Sequence, residues 1–373
     1  MSAPRNRVLV LNWRDPWHPE AGGSELYVTE VARRLQAGTT DVTVFSARYP
    51  GAPAAETRDG IRYVRRGGHL TVYLWAPLLL LTRRLGRPSA VLEVQNGMPF
   101  LARLFTRARV VVLVHHVHRE QWSILPKAMA RFGWLMESRV AVRVNRGTSY
   151  VAVSEVTRSE LVALGVRAGD ITIAWNGRPD APDYEPSAPS PTPRLVMLAR
   201  LVPHKRVEHA LEVVAALRGE FPGLHLRVMG SGWWADNLVE RRAELGLDDE
   251  VTFLGHVSDQ QKYEELSSAW VHLLPSVKEG WGLSITEAAH VGVPSVAYLE
   301  AGGVRESILD GVTGLLATDQ DDLVAKVRHL LHDAELRLDL GHKAQIRSEQ
   351  FSWELTADVV AGRLGVATKP AGS

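Results

Sequence analysis

Short apolar runs recur along the chain, and stretches with helical spacing lie between most of them. Runs at 8–11, 42–47, 61–65, 90–93, 110–114, 150–153 and 171–174 read as strands, with helices expected at 25–36, 70–85, 123–143 and 155–164. Near-continuous apolar strands alternating with helices indicate a parallel sheet covered on both faces. A second alternation has strands at 194–198, 225–229, 251–254, 271–274, 295–298 and 314–316, and the chain after Asp333 reads as mostly helical. Between the two, residues 181–193 hold five prolines in thirteen positions, which neither a helix nor a central strand tolerates. The pattern therefore predicts an α/β protein with a domain over 1–180, a linker over 181–193 and a domain over 194–350. A last helix is expected within 351–366 and a disordered tail over 367–373.

Composition adds little to this. A length of 373 residues suits two cores of ordinary size, and a net charge of +1 gives no case for nucleic acid as a partner. With no cysteine, disulfides and thiolate metal sites are excluded. The opening residues lead straight into a strand too short for a signal-peptide core, so a cytoplasmic location is expected. The longest apolar run, 70–81, contains Pro77 and stops at Thr82-Arg83-Arg84, short of the ~20 residues of a membrane span, and reads as a buried helix.

The chemistry concentrates after the strand at 271–274, where Glu279-Gly280-Trp281-Gly282-Leu283 leads into a short helix containing Glu287. Glycines allow close backbone approach, and the first turn of a helix presents unpaired N–H groups at its positive end, so the stretch suits phosphate. Glu279 and Glu287 bracket it as acceptors for hydroxyl groups. After the strand at 194–198, Arg200 and Lys205 are placed to meet a diphosphate at the carboxyl edge of the sheet. Gly230-Ser-Gly232 fits a relaxed dinucleotide fingerprint, which keeps an NAD-dependent oxidoreductase open as an alternative. Against it, the following strand ends in Gly255-His256-Val257 with no acid for a ribose. Gly230 and Gly232 therefore read as a tight turn lining the ligand site.

In the first domain, Gly22-Gly23 opens a helix after the aromatic loop 12–18, a place for phosphate, sugar or acceptor contacts. The strand at 110–114 ends in His115-His116-Val117-His118, without the spacing or nearby acids of a metal site. From 101 to 150 there are nine Lys or Arg against Glu120 and Glu137. Lys127, Arg131, Arg139 and Arg143 fall at multiples of four beside Trp122, Phe132 and Trp134, so the 122–146 region is either a solvated face or a contact with anionic membrane.

Glu279-Gly-Trp-Gly-Leu-x3-Glu287-Ala288, followed by Gly292-Val-Pro294, resembles the E-x7-E signature of the retaining glycosyltransferases of family 4. The resemblance implies a GT-B fold, with two Rossmann-like domains facing a central cleft and a C-terminal helix that crosses back to the first domain. It implies a nucleotide diphosphate sugar donor, UDP- or GDP-linked, and a hydroxyl acceptor that is a glycan, a lipid-linked molecule or a small molecule. No metal and no cofactor are implied. Glu279 would contact the donor sugar and Glu287 the ribose, with the amides of Gly280 to Leu283 on sugar and phosphate. Arg200 and Lys205 match the Arg-x4-Lys diphosphate clamp, although Ala199 and Arg206 stand where the family has glycines. His256 and Val257 match the loop beneath the base, and Gly22 and Gly23 the loop that closes on the donor. His115 is the best register for the family histidine that faces the sugar, with His116 and His118 as neighbours in contention. A sugar-nucleotide epimerase of the same fold and a non-catalytic sugar-nucleotide sensor remain alternatives.

Overall fold

A computed structural model describes residues 6–38, 40–122, 126–178 and 187–368. The chain divides into two compact units, residues up to 177 together with those from 353 onward, and residues 178–352.

The first unit is built on an eight-stranded sheet: β1 (Asn6–Leu11), β2 (Thr40–Ser46), β3 (Ala55–Arg58), β4 (Ile61–Arg65), β5 (Ala90–Gln95), β6 (Arg109–Val114), β7 (Ser149–Ala152) and β8 (Ile171–Ile173). Its order is β3-β4-β2-β1-β5-β6-β7-β8, parallel throughout except for β3, which hairpins onto β4. The sequence reading misses β3 because Ala-Glu-Thr-Arg is largely exposed at the sheet edge and carries no apolar run. Helices α1 (Gly23–Ala37), α2 (Val72–Leu81), α3 (Arg119–Trp122), α4 (Lys127–Leu135), α5 (Val142–Val144) and α6 (Glu155–Ala163) connect the strands.

Two helical expectations are corrected. The helix expected over 123–143 is helical from Lys127 to Val144, but its middle, Met136–Ala141, is π-helical and divides it into α4 and α5; residues 123–125 lie outside the described residues. The run expected as a buried helix over 70–85 forms α2 with only one face buried. Val72, Ala76, Leu79 and Leu80 pack on the sheet, while Leu74 and Leu78 face water. Pro77 lies inside α2, past its first turn, where its missing N–H removes one bond of the helix.

The second unit carries β9 (Arg194–Leu198), β10 (His225–Met229), β11 (Val251–Gly255), β12 (Val271–Leu274), β13 (Ser295–Tyr298) and β14 (Gly314–Ala317). All six are parallel in the order β11-β10-β9-β12-β13-β14. Around them lie α7 (Val207–Leu217), α8 (Ala235–Glu244), α9 (Asp259–Ser268), α10 (Leu283–His290), α11 (Val304–Ser307), α12 (Gln320–His332) and α13 (Ala334–Ser348). Local chemistry sets several helix starts: Ser258, Asp319 and Asp333 each accept the N–H three residues on. Alternate residues of the strands fill one large core with α7 and α12, which includes Leu195, Met197, Leu226, Val228, Leu273 and Val327.

Of the expected linker, 181–186 lie outside the described residues. Residues 187–193 are tied to the second unit rather than free: the Ser190 N–H donates to the Ser268 carbonyl at 2.9 Å and Trp270 Nε1 to the Ser190 carbonyl at 2.9 Å. The chain then returns. α14 (Trp353–Leu364) belongs to the first unit, where the buried Trp353 meets the Tyr27 ring edge-on at 5.6 Å and Thr356 donates to the Trp175 carbonyl. Of the expected tail, residues 369–373 lie outside the described residues. Among the described residues, no helix is long and apolar enough to cross a membrane.

Candidate active site

In an open parallel sheet, ligands bind beyond the carboxyl ends of strands where the order reverses. In the second unit that point lies between β9 and β12, since β10 follows β9 on one side and β12 flanks it on the other. Two loops leave the sheet there, 199–206 after β9 and 275–282 after β12. They are held together: the Val277 N–H donates to the His204 carbonyl at 2.9 Å, and Lys205 Nζ lies 2.5 Å from Glu279 Oε1. Arg200 is half-buried on the first of these loops.

The β12 loop is fixed on its other side by a third segment, which the sequence reading did not single out. The Glu279 N–H donates to the Ala301 carbonyl at 2.8 Å, and the Gly303 N–H donates to the Glu279 carbonyl at 3.0 Å. A side chain at Gly303 would sit 1.9 Å from the Gly280 carbonyl oxygen, so only glycine lets the two backbones approach this closely. The signal was present as Gly302-Gly303 after β13 and ahead of α11. Ser307 Oγ donates to the Trp281 carbonyl at 2.9 Å, and the Trp281 ring is buried edge-on against Phe351 at 4.9 Å. Trp281 therefore anchors the loop from within. Gly282, at φ 91°, turns the chain into α10.

One turn into α10, Glu287 is buried and lies 2.9 Å from Lys262 of α9, a partner the sequence reading missed. Burial raises the Glu287 pKa, and the Lys262 ammonium pulls it back. Burial works against the Lys262 charge in turn, but Glu287, Tyr263 and Asp259 together outweigh it and raise its pKa, so the ammonium stays charged. Each glutamate of the pair thus has its own lysine, Lys205 from the loop after β9 and Lys262 from α9.

Gly230 and Gly232 have a packing reason to be glycine. Added side chains would meet the Ala199 carbonyl oxygen at 1.9 Å and the Leu201 carbonyl oxygen at 2.1 Å. The Ala199 and Leu201 N–H groups donate to Met229 and Ser231, and Gly230 donates to Gly255, so three strand ends are laced together. This accounts for both glycines without a dinucleotide. Gly255 takes φ 67°, His256 is exposed, and Val257 is half-buried against the cluster that includes Tyr263 and Leu266. Arg206, where the family glycine is replaced, adopts left-handed backbone at φ 48° and caps α7, with its guanidinium 5.6 Å from the Tyr298 ring.

In the first unit, the loop after β1 is held by buried polar groups. Asn12 receives a bond from Asn96 of the neighbouring strand end at 3.2 Å, and Asp15 pairs with the fully buried Arg65. Glu25 accepts the Gly22 N–H at 2.8 Å and lies 3.3 Å from Arg14, which shapes the Gly22-Gly23 turn at the start of α1. Trp13, His18, His69 and Tyr49 stack edge to face beside this loop.

His115 is buried, with its ring edge-on to Tyr27 at 5.2 Å and its carbonyl bonded by Thr157. Burial, helped by the neighbouring His118, lowers its pKa to about 3, so the imidazole is neutral, and its Nε2 has no partner among the described residues. His116 and His118 stack at 4.2 Å. The fold brings a distant acid to these histidines. Glu137, fully buried in the π-helical stretch, accepts from the His118 N–H, lies 3.2 Å from His118 Nδ1 and accepts Trp122 Nε1 at 2.6 Å. Trp122 reaches it through slots left by Gly97 and Gly133. Among the described residues, no group of three or more His, Cys, Asp or Glu is placed to hold a metal ion.

Comparison with known proteins gives two family models, one for each half. The model described as Glycosyltransferase Family 4 matches residues 21–180, and that described as Glycosyl transferases group 1 matches residues 184–347. The chain is similar to the GDP-mannose-dependent alpha-(1-6)-phosphatidylinositol monomannoside mannosyltransferase of Mycobacterium tuberculosis, 27% identical over 95% of this chain and 97% of that protein. In structure it is similar to the sucrose-phosphate synthase of Thermosynechococcus elongatus, with a TM-score of 0.81, 19% identity, and coverage of 97% and 98% of the two chains. It is also similar to HepE of Anabaena in complex with UDP-glucose, with a TM-score of 0.75, 19% identity, and coverage of 96% and 99%.

Proposed function

We propose that this chain, which belongs to the glycosyltransferases of GT-B fold, moves a hexose from a nucleotide diphosphate sugar to a hydroxyl acceptor with retention of anomeric configuration. The reading includes no metal ion and no cofactor, and a cytoplasmic location. The observation that carries it is the meeting of Lys205 with Glu279 at the β9/β12 reversal, the place an open sheet reserves for its ligand. Lys205, Arg200 and the amides from Gly280 to Leu283 take the diphosphate and stabilise the charge that grows on it as the glycosidic bond breaks. Glu279, released from Lys205 as the diphosphate arrives, accepts hydroxyls of the sugar, and Glu287 accepts those of the ribose. Gly230, Gly232, His256 and Val257 complete the donor side, and Gly22 and Gly23 close on the donor. His115, neutral and with a buried Nε2 that has no partner among the described residues, is a hydrogen-bonding partner for the sugar.

No side chain in this set is proposed as a covalent nucleophile. The acceptor oxygen attacks from the face the leaving group departs, and the departing phosphate oxygen takes its proton. UDP and GDP both fit, since the mannosyltransferase named above uses GDP-mannose and HepE holds UDP-glucose. Thermal-shift titration with UDP-, GDP- and ADP-hexoses, followed by transfer to hydroxyl acceptors in excess chelator, tests the reading. A stabilising donor and an axial product from an axial donor are expected. An inverted product, activity that a chelator abolishes, or a glycosyl-enzyme adduct seen by intact mass would contradict it.

A further inference from the structure

The helical layer of the first unit carries an apolar surface that the fold does not use. α2 is apolar on both sides. Away from its buried face, Leu74, Leu78 and Leu81 are 73%, 48% and 64% exposed, and Leu70 in the turn just before the helix is 63% exposed. The spacing of four and three from Leu74 to Leu81 places those three in one stripe along the helix. α4 repeats the arrangement: Met129, Phe132 and Leu135 are exposed at intervals of three. Both helices lie over the same buried cluster, so they cover the same face of the sheet. A stripe of large apolar side chains in water marks a contact surface.

Charge indicates what covers it. Residues 60–154 contain fifteen Arg and Lys against three acids, and two of those acids, Glu93 and Glu137, are fully buried. Arg83, Arg84 and Arg87 are exposed directly after α2, and Lys127, Arg131, Arg139 and Arg143 are exposed in and after α4. Leucines beside guanidinium groups match the acyl boundary and the headgroups of an anionic bilayer. A second copy of this chain would set like charges against each other.

We propose that the first unit docks peripherally on anionic lipid, with the outward stripe of α2 entering the acyl boundary and α4 as a second contact. The docking is independent of which donor or acceptor the enzyme uses. Cosedimentation of the full chain with phosphatidylcholine vesicles, with and without phosphatidylglycerol, tests it. The wild type is expected to partition onto the anionic vesicles and to be released by salt. Leu74→Gln with Leu78→Gln should weaken partitioning roughly tenfold to a hundredfold. Arg83→Gln, Arg84→Gln and Arg87→Gln together should weaken it roughly a hundredfold, about fivefold per residue.

Both sets of side chains are exposed, so melting temperature and transfer to a water-soluble acceptor should be unchanged. Differences in partitioning that persist in a protein with no transferase activity would support the docking and count only against the reaction. Equal partitioning of wild type and variants, or none on anionic vesicles, would overturn the docking. So would light scattering that shows a dimer dissolved by the leucine substitutions.

Discussion

Two sets of carboxylates, Glu279 and Glu287 in the second unit and Glu93, Glu25 and Glu137 in the first, are held in different ways. In the second, Glu279 and Glu287 each face a lysine side chain from a neighbouring loop or helix, Lys205 at 2.5 Å and Lys262 at 2.9 Å. In the first, Glu93 accepts the N–H groups of Phe100, Leu101 and Ala102 at 2.8–2.9 Å, Glu25 accepts that of Gly22, and Glu137 accepts that of His118. A side-chain pair can open for a ligand while the backbone stays put. A carboxylate that collects backbone N–H groups cannot leave without releasing the loop it shapes. Glu279 and Glu287 are therefore held by contacts that a ligand could replace, whereas Glu93, Glu25 and Glu137 shape the backbone around them.

Four substitutions or conditions test this contrast, taken from the largest expected effect to the smallest. Glu93→Ala strands three buried N–H groups and should cost about 3–5 kcal/mol, read as a shift in the urea midpoint; a cost within 1 kcal/mol would break the contrast. Lys205→Ala should lower kcat/KM for transfer by about a hundredfold to a thousandfold, or about 3–4 kcal/mol, with little change in melting temperature because the pair is near the surface. If it unfolded the protein as readily as Glu93→Ala, Lys205 would be holding the loop rather than serving the ligand.

Acid should affect both units alike. Burial lowers the pKa of His115 in the first and His272 in the second to about 3. The unfolded chain takes up these protons first, so the stability is intact above about 6.5 and is lost as the pH falls from there toward 3. Between pH 6.5 and 5 each histidine should account for about 2 kcal/mol, seen in urea midpoints and removed for one unit at a time by His115→Gln or His272→Gln. The smallest effect belongs to Arg206→Gly, which should stabilise by about 1 kcal/mol by relieving left-handed backbone, less the small contact with Tyr298. A lower melting temperature in that variant would mean the arginine side chain matters more than its backbone.

Legibility in the sequence divided along the same line. The strands of the second unit and its Glu279–Glu287 stretch were readable because apolar runs, glycines and paired acids lie within a dozen neighbouring residues. Lys262 was not, because it lies in another helix twenty-five positions away from Glu287 and nothing local marks it. Gly303 was overlooked because its reason, the carbonyl of Gly280, is visible only in three dimensions. In the first unit the histidines were noted and their acid missed, since Glu137 reaches His118 through a π-helical stretch that no 3.6-residue pattern predicts. The α2 stripe was misread because an apolar run has the same composition whether one of its faces is covered or both.

By itself the sequence determined two parallel sheets and the place of the E-x7-E stretch, because apolar periodicity, glycine and proline act over a few neighbouring residues. Only the tertiary structure decided which lysine answers which glutamate, which glycines exist for backbone contact and which leucines meet water. Those depend on groups far apart in the chain, brought together by the burial of everything between them.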